Sequence, residues 1–174
     1  MFAGRYGKGL SEQRMGMSLH VRPRDDYQLS TKVGRFLRPV GAEELEEHGW
    51  PDNSLLFNVE FDYRYEAIQQ QHRESLQRLG CGRVDALVIH DMEQSSETVP
   101  GANPRGLTVE QHYEDLASGG FRALQELRAS GAIAAFGAGV NADEGELKGT
   151  PFGATRCMSS LRQRHLLGYV YATA

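Results

Sequence analysis

The stretch Val84-Asp85-Ala86-Leu87-Val88-Ile89-His90 decides the fold class. It is a short apolar run rich in β-branched side chains, which is typical of a strand buried on both faces of a parallel sheet. Two further strands are predicted. Residues 26–33 alternate polar and apolar side chains and stop at Gly34, whereas residues 132–140 form a weaker candidate whose glycines allow close approach of neighbours.

Helical patterns separate these strands. Residues 65–79 carry apolar side chains at helical spacing and are followed by Gly80, a typical C-terminal stop. Residues 108–130 carry an apolar stripe three and four residues apart, with Thr108 and Gln111 spaced as a capping box. A shorter helix is predicted at about residues 11–19. This alternation predicts parallel α/β architecture, and the pattern alone fits either an open doubly wound sheet or a (β/α) barrel.

Composition excludes several classes of function. The chain has 174 residues, as expected for one domain, and 19 Lys and Arg against 23 Asp and Glu give a formal charge of −4. Without a basic surplus, no nucleic-acid partner is predicted. No apolar run reaches membrane-spanning length and the start lacks a secretory apolar segment, so no membrane association is expected. Two cysteines are too few for a disulfide framework, and a cytoplasmic location is predicted.

Three polar residues end the three predicted strands: Lys32, His90 and Asn141. A solvated strand end is the more common explanation for any one of them. Three on successive strands favour a shared site, because parallel strands bring their C-terminal ends together. The long segments 35–59 and 92–107 follow the same strand ends, where loops often carry function. The six histidines show no His-Glu-x-x-His pairing, and no metal site is predicted.

Several short motifs then follow one another in a specific order. They are Tyr6-Gly7-x-Gly9-x-Ser11-Glu12, Leu29-Ser30-Thr31-Lys32-Val33-Gly34-Arg35, Phe61-Asp62-Tyr63, Ser75-Leu76-x-Arg78-Leu79-Gly80, Val84-Asp85-x-Leu87-x-Ile89-His90-Asp91, Ala123-Leu124-x-Glu126-Leu127-Arg128 and Gly137-x-Gly139-Val140-Asn141. Their order and spacing resemble the aldo-keto reductase superfamily. The similarity is strongest to its bacterial branch of D-threo-aldose 1-dehydrogenase, L-fucose dehydrogenase and pyridoxal 4-dehydrogenase.

The resemblance implies a (β/α)8 barrel, an NAD or NADP cofactor bound without a Rossmann fold, and a small-molecule carbonyl or sugar substrate. Tyr6 matches the family's proton-donating tyrosine, and Lys32 matches the lysine that activates it. His90 matches the histidine that orients the substrate carbonyl, and Asn141 the amide that holds the nicotinamide carboxamide. Physical chemistry agrees with these roles, because a nearby ammonium favours the phenolate of a group that is otherwise a poor acid at neutral pH.

Two regions depart from the family pattern. The family's aspartate, five positions before the tyrosine, falls at Met1, and residues 142–174 resemble none of the later strands. Because a full barrel takes about 250 residues, the sequence predicts a truncated, partial barrel (about strands 2–5) in residues 1–141, followed by a divergent tail in residues 142–174.

Two hypotheses about function follow. The first is an oxidoreductase of the aldo-keto reductase type, with turnover barely above background and little NAD(P)H binding expected. The second is a catalytically inactive remnant, or a partial barrel that serves only in interactions. In that case exposed strand edges would allow self-association.

Overall fold

The computed structural model describes residues 3–45, 55–92, 103–139 and 169–172, with side chains for the first three ranges. Its helices and strands, in chain order, are α1 (Leu10–Leu19), β1 (Ser30–Val33), β2 (Arg35–Pro39), β3 (Phe57–Phe61), α2 (Tyr65–Leu79), β4 (Ala86–His90), α3 (Val109–Asp115), a π-helical turn (Leu116–Gly120), α4 (Phe121–Ala129), β5 (Ala135–Gly139) and β6 (Tyr169–Ala172).

The three strands predicted from the sequence are parallel neighbours. β4 pairs in parallel with β1 on one side and with β5 on the other. Lys32 lies opposite Val88, two residues before His90, so the side chains of Lys32 and His90 project from the same face of the sheet. The strand predicted at residues 26–33 is shorter than expected, because Arg24–Asp26 form a 3₁₀ turn.

The helices agree with the predicted ranges. α2 spans the predicted residues and ends at Gly80, whose φ of 62° is left-handed, and α3 begins with the predicted Thr108–Gln111 capping box. The helix predicted at residues 108–130 contains one irregularity, since its middle turn, Leu116–Gly120, is π-helical. There the backbone of Gly120 packs directly on the carbonyl oxygen of Tyr63, at the start of α2.

The segment 35–59, predicted as a long loop, contains an antiparallel hairpin formed by β2 and β3. Leu37 and Val59 pair across it and are both buried. On its other face Arg38 forms an ion pair with Glu60. The alternation of buried and polar side chains therefore stabilises two strands that form a separate sheet from β1, β4 and β5.

The core lies between the parallel sheet and the helices that cover it. Leu87 and Ile89 on β4, Ile68 on α2, and Leu116 and Leu124 on the helical segments that follow are fully buried. Each such side chain contributes roughly 1.5–3 kcal/mol through burial. In the part of the chain that is described, no helix is long and apolar enough to cross a membrane.

A buried ionic cluster joins α1 to the rest of the molecule. The carboxylate of Glu12, fully buried, accepts hydrogen bonds from the Thr31 hydroxyl and, at 2.6 Å, from Nε of Arg78. These contacts tie α1 to β1 and α2. The amide of Ser11 donates to the carbonyl oxygen of Tyr6 at 3.2 Å, so the cluster also fixes the turn that precedes α1.

The outer edges of the parallel sheet differ. β6 pairs antiparallel with β5, so a strand covers the β5 edge that was expected to be exposed. This strand lies within residues 142–174, which resemble none of the family's later strands in sequence. Within the described ranges, no strand pairs with the outer edge of β1. Self-association through strand edges stays a prediction, now confined to that edge.

The contact between Gly120 and Tyr63 gives a test of the fold. A Cβ atom at Gly120 would overlap the carbonyl oxygen of Tyr63, which is backbone and cannot rotate away. Gly120→Ala is therefore expected to lower the free energy of unfolding by about 1–3 kcal/mol in urea denaturation. Gly82→Ala is the matched control: a Cβ there meets no atom within 4 Å, and a change below about 1 kcal/mol is expected. Equal effects of the two substitutions would contradict the packing described.

Candidate active site at the strand ends

Tyr6, Lys32 and His90 come together at the C-terminal end of the parallel strands. Nζ of Lys32 donates a hydrogen bond to the Tyr6 hydroxyl at 3.2 Å. The rings of Tyr6 and His90 meet edge to face, with centroids 5.4 Å apart and planes at 73°. Three of the four residues that the resemblance singles out therefore form one cluster. Asn141 lies outside the described residues, and its role stays a prediction.

The turn before α1 carries Tyr6 to this cluster. Gly7, Lys8 and Gly9 all have positive φ, at 61°, 49° and 97°. Glycine adopts these values without steric cost, which explains why two of the three positions are glycine. The amide of Tyr6 donates to the carbonyl oxygen of Ala3 at 3.1 Å, so the turn is closed on both sides of the tyrosine.

Lys32 and His90 are held by the strands themselves. The Lys32 residue is 5% exposed and the His90 residue 1% exposed, which is unusual for a lysine and places both side chains out of bulk water. The Tyr63 hydroxyl donates to the carbonyl oxygen of His90 at 3.0 Å and fixes the last residue of β4 from the side of α2. Both groups thus sit on regular backbone, and their separation is set by the strand pairing.

Asp91, directly after β4, is a fourth member of the cluster. Its Oδ1 lies 3.9 Å from Nζ of Lys32, and its Oδ2 lies 3.3 Å from Nε2 of His90. Asp91 belongs to the sequence motif that ends β4, but no role was predicted for it. Its position could have indicated one, because it is a carboxylate that directly follows His90 at the strand end.

Burial controls the charge state of His90. Removal from water, the largest cause, lowers the pKa of His90 to about 4, and the positive charges of Lys32 and Arg35 lower it further, whereas Asp91 opposes them. Burial acts on Asp91 in the direction of a higher pKa, but His90, Lys32 and Arg35 outweigh it and the pKa of Asp91 is lowered. At neutral pH the cluster therefore contains a neutral imidazole beside a carboxylate.

Both ring nitrogens of His90 are able to bind a ligand. Neither Nδ1 nor Nε2 makes a hydrogen bond with any described residue, although both are buried; the 3.3 Å approach of Nε2 to Asp91 lacks hydrogen-bond geometry. Such atoms are costly unless a ligand or water satisfies them. Across the described ranges, no group of three or more His, Cys, Asp or Glu side chains could hold a metal ion. The cluster suits a neutral oxygen-bearing ligand.

Comparison with known proteins shows the family of this chain. The model of the aldo/keto reductase family matches residues 2–145. The chain belongs to the aldo/keto reductase family. It is 35% identical over 144 residues to D-threo-aldose 1-dehydrogenase from a Pseudomonas species, covering 79% of this chain and 38% of that protein. It is 37% identical over 146 residues to pyridoxal 4-dehydrogenase from Microbacterium luteolum, covering 78% of this chain and 40% of that protein.

Solved structures of family members show the same fold. An aldo-keto reductase from Bacillus halodurans superposes with a TM-score of 0.55 at 23% identity, covering 84% of this chain and 38% of that one. A glycerol dehydrogenase from Gluconobacter oxydans gives a TM-score of 0.52 at 27% identity, covering 82% and 34%. The fold is thus part of a (β/α)8 barrel, as predicted. The chain spans about two fifths of the length of the two curated relatives above.

The low pKa of His90 predicts how stability depends on pH. The unfolded chain takes up a proton at His90 near its ordinary value of about 6.5, whereas the folded chain takes it up only near pH 4, so acid favours unfolding. The contribution of His90 to this loss is about 2 kcal/mol between pH 7 and pH 5. Urea denaturation of His90→Gln is expected to show a correspondingly smaller loss over that range.

The control for this experiment is His20→Gln, which replaces an exposed histidine at the end of α1. The pKa values of the buried His72 and His112 are also lowered by burial, but both residues are present in wild type and in each variant, so their contributions cancel. If His90→Gln loses as much stability as wild type between pH 7 and pH 5, His90 does not take up its proton late in the folded state.

Proposed function

We propose that this protein is an NAD(P)-dependent oxidoreductase of the aldo-keto reductase type that acts on an aldose, aldehyde or alcohol by hydride transfer. The observation that carries the proposal is the hydrogen bond from Nζ of Lys32 to the Tyr6 hydroxyl, beside His90 at the strand ends. The two curated relatives, an aldose dehydrogenase and a pyridoxal dehydrogenase, support a small carbonyl or sugar as substrate.

Tyr6 would transfer the proton at the substrate oxygen. In the direction of reduction its hydroxyl donates a proton to the carbonyl oxygen, and in the direction of oxidation its phenolate accepts the alcohol proton. The buried ammonium of Lys32, 3.2 Å from the Tyr6 oxygen, stabilises the phenolate in either direction.

His90 would orient the substrate. With a pKa of about 4 its imidazole is neutral at physiological pH, so it offers one hydrogen-bond donor and one acceptor without adding charge. A neutral imidazole at this place directs the substrate oxygen toward Tyr6 and leaves proton transfer to the tyrosine. The two unbonded ring nitrogens fit this role.

The described residues fit a nicotinamide cofactor. A part-buried hydroxyl–ammonium pair and a neutral imidazole suit a carbonyl next to a hydride donor, and Asp91 is the carboxylate paired with Lys32 there. A bound NAD or NADP would supply or accept the hydride. Among residues predicted from the sequence, Asn141 would hold its carboxamide. Cytoplasmic location, and the absence of nucleic-acid and membrane partners, likewise stay predictions.

The second candidate function is a catalytically inactive partial barrel that acts only through interactions. The outer edge of β1 favours it, because no strand covers this edge within the described ranges. An uncovered strand edge offers unpaired backbone groups to another chain. This candidate predicts concentration-dependent self-association in analytical ultracentrifugation without NAD(P)H binding.

The proposed function is tested by Tyr6→Phe, which removes only the reacting hydroxyl. The proposed function predicts saturable NADH or NADPH binding by fluorescence and turnover of aldoses or aldehydes in wild type, above the near-background level that the sequence predicts. Tyr6→Phe should keep cofactor binding and lose turnover by about 100-fold or more, as for other positioned proton donors. Tyr27→Phe is the matched control, since Tyr27 packs on Arg24 away from the cluster. Absence of cofactor binding in wild type would contradict the proposal and favour the second candidate.

A further inference from the structure

Asp91 is the part of the cluster to which the proposed proton transfer gives no role. It is buried, and its carboxylate lies between two groups of the site: Lys32, 3.9 Å away, and His90, 3.3 Å away. In the described part of the chain, Asp91 is the acidic residue that forms an ion pair with Lys32. A buried ammonium is strongly unfavourable unless such a counter-charge accompanies it.

The backbone of Asp91 is held in a conformation that places the carboxylate there. Its φ is 38°, in the left-handed region, which few non-glycine residues adopt but in which Asp and Asn are enriched. Two neighbours hold it: its amide donates to the carbonyl oxygen of Gly139 on β5 at 2.8 Å, and its own carbonyl oxygen accepts from Nη2 of Arg35 at 3.2 Å. Unusual backbone held from two sides is common at functional sites.

Arg35 completes the charge balance around Asp91. Its guanidinium is buried and stacks 3.6 Å above the ring centroid of Phe61. Among the described residues, the Asp91 carboxylate thus lies beside the Lys32 ammonium and the neutral imidazole of His90, and the charge of Arg35 also acts on it. The ion pair with Asp91 limits where the Lys32 ammonium can lie.

We propose that Asp91 is a positioning residue: its carboxylate holds the Lys32 ammonium in place to donate to the Tyr6 hydroxyl. The inference rests on the proposed function for its catalytic consequence. Its structural consequence, coupling between Asp91 and Lys32, is measurable whether or not the protein turns over substrate.

The first experiment measures that coupling without activity. Urea midpoints are compared for wild type, Asp91→Asn, Lys32→Met and the double variant. Asn keeps the size and the tolerance for positive φ but removes the charge. Asp91→Asn is expected to lower the midpoint clearly in the wild-type background, where it leaves the buried Lys32 ammonium without its carboxylate, and to lower it less in the Lys32→Met background, where only the charge of Arg35 remains nearby. Equal decreases in the two backgrounds would overturn the inference.

The double variant also guards against a folding failure. If Asp91→Asn alone does not fold, the Lys32→Met/Asp91→Asn protein should be more stable than Asp91→Asn, because the ammonium that lost its carboxylate is also gone. Asp85→Asn is the matched control: Asp85 precedes β4 at its opposite end, where it binds Arg24 and the amide of Leu29. Its effect on the midpoint should be the same with and without Lys32→Met.

The second experiment separates positioning from general destabilisation. In Asp91→Asn, kcat is expected to fall at least 10-fold with KM for the carbonyl substrate changed less than 3-fold, whereas Asp85→Asn should keep wild-type kcat. An unchanged kcat in folded Asp91→Asn would overturn the inference. If wild type shows no turnover while the urea midpoints show coupling, the proposed function fails and the positioning of Lys32 by Asp91 stands.

Discussion

Hydrogen bonding along both edges of β4 is the constraint on which the rest of the structure depends. β4 pairs in parallel with β1 and with β5, so its backbone N–H and C=O groups are all hydrogen-bonded only when both neighbouring strands are present and in register. Its apolar side chains are covered by the helices on one face, and its last residue, His90, emerges at the common strand end. Because register fixes Lys32 two residues behind His90 across the ladder, the geometry of the site follows from the pairing of the strands.

Much of the fold could be predicted because local signals agreed with the tertiary structure. The apolar run of β4, the periodicity and Gly80 stop of α2, and the Thr108 capping box of α3 each act within a few residues. The hairpin of β2 and β3 could not be predicted in this way. Its two strands are joined by a long connection, from Pro39 to Phe57. In addition, only Gly34 separates β1 from β2, and a glycine in a sequence normally indicates the end of a strand.

The change of chain direction at Gly34 depends on a tertiary contact that the sequence pattern does not reveal. Its φ is 103°, and its Cα lies so close to the ring of Tyr63 that a side chain would overlap the ring. The glycine therefore redirects the chain from the parallel sheet into the hairpin, a change that depends on a residue 29 positions further along the chain. The π-helical turn is similar, because the apolar periodicity of residues 108–130 fits a regular α-helix and the widened turn reflects packing against Tyr63.

In the candidate site, too, some residues could be predicted from the sequence and others could not. Tyr6, Lys32 and His90 were found through the order of motifs, and the strand register explains why they meet. The position of the Asp91 carboxylate could not be predicted from the motifs, because it depends on the φ of Asp91 and on its backbone hydrogen bonds with Arg35 and Gly139. Asn141 remains a prediction from the resemblance alone.

The Glu12 cluster has a consequence for motion in the first residues of the chain. Chain ends commonly fray on a fast timescale, independently of global unfolding. Here α1 cannot separate from the core without exposing the fully buried carboxylate of Glu12 and breaking its bonds to Thr31 and Arg78. Amide hydrogens in the turn and in α1, including that of Ser11, are therefore expected to exchange with solvent no faster than β1 and α2 open. Tyr6, which lies in this turn, therefore shares the rigidity of the core.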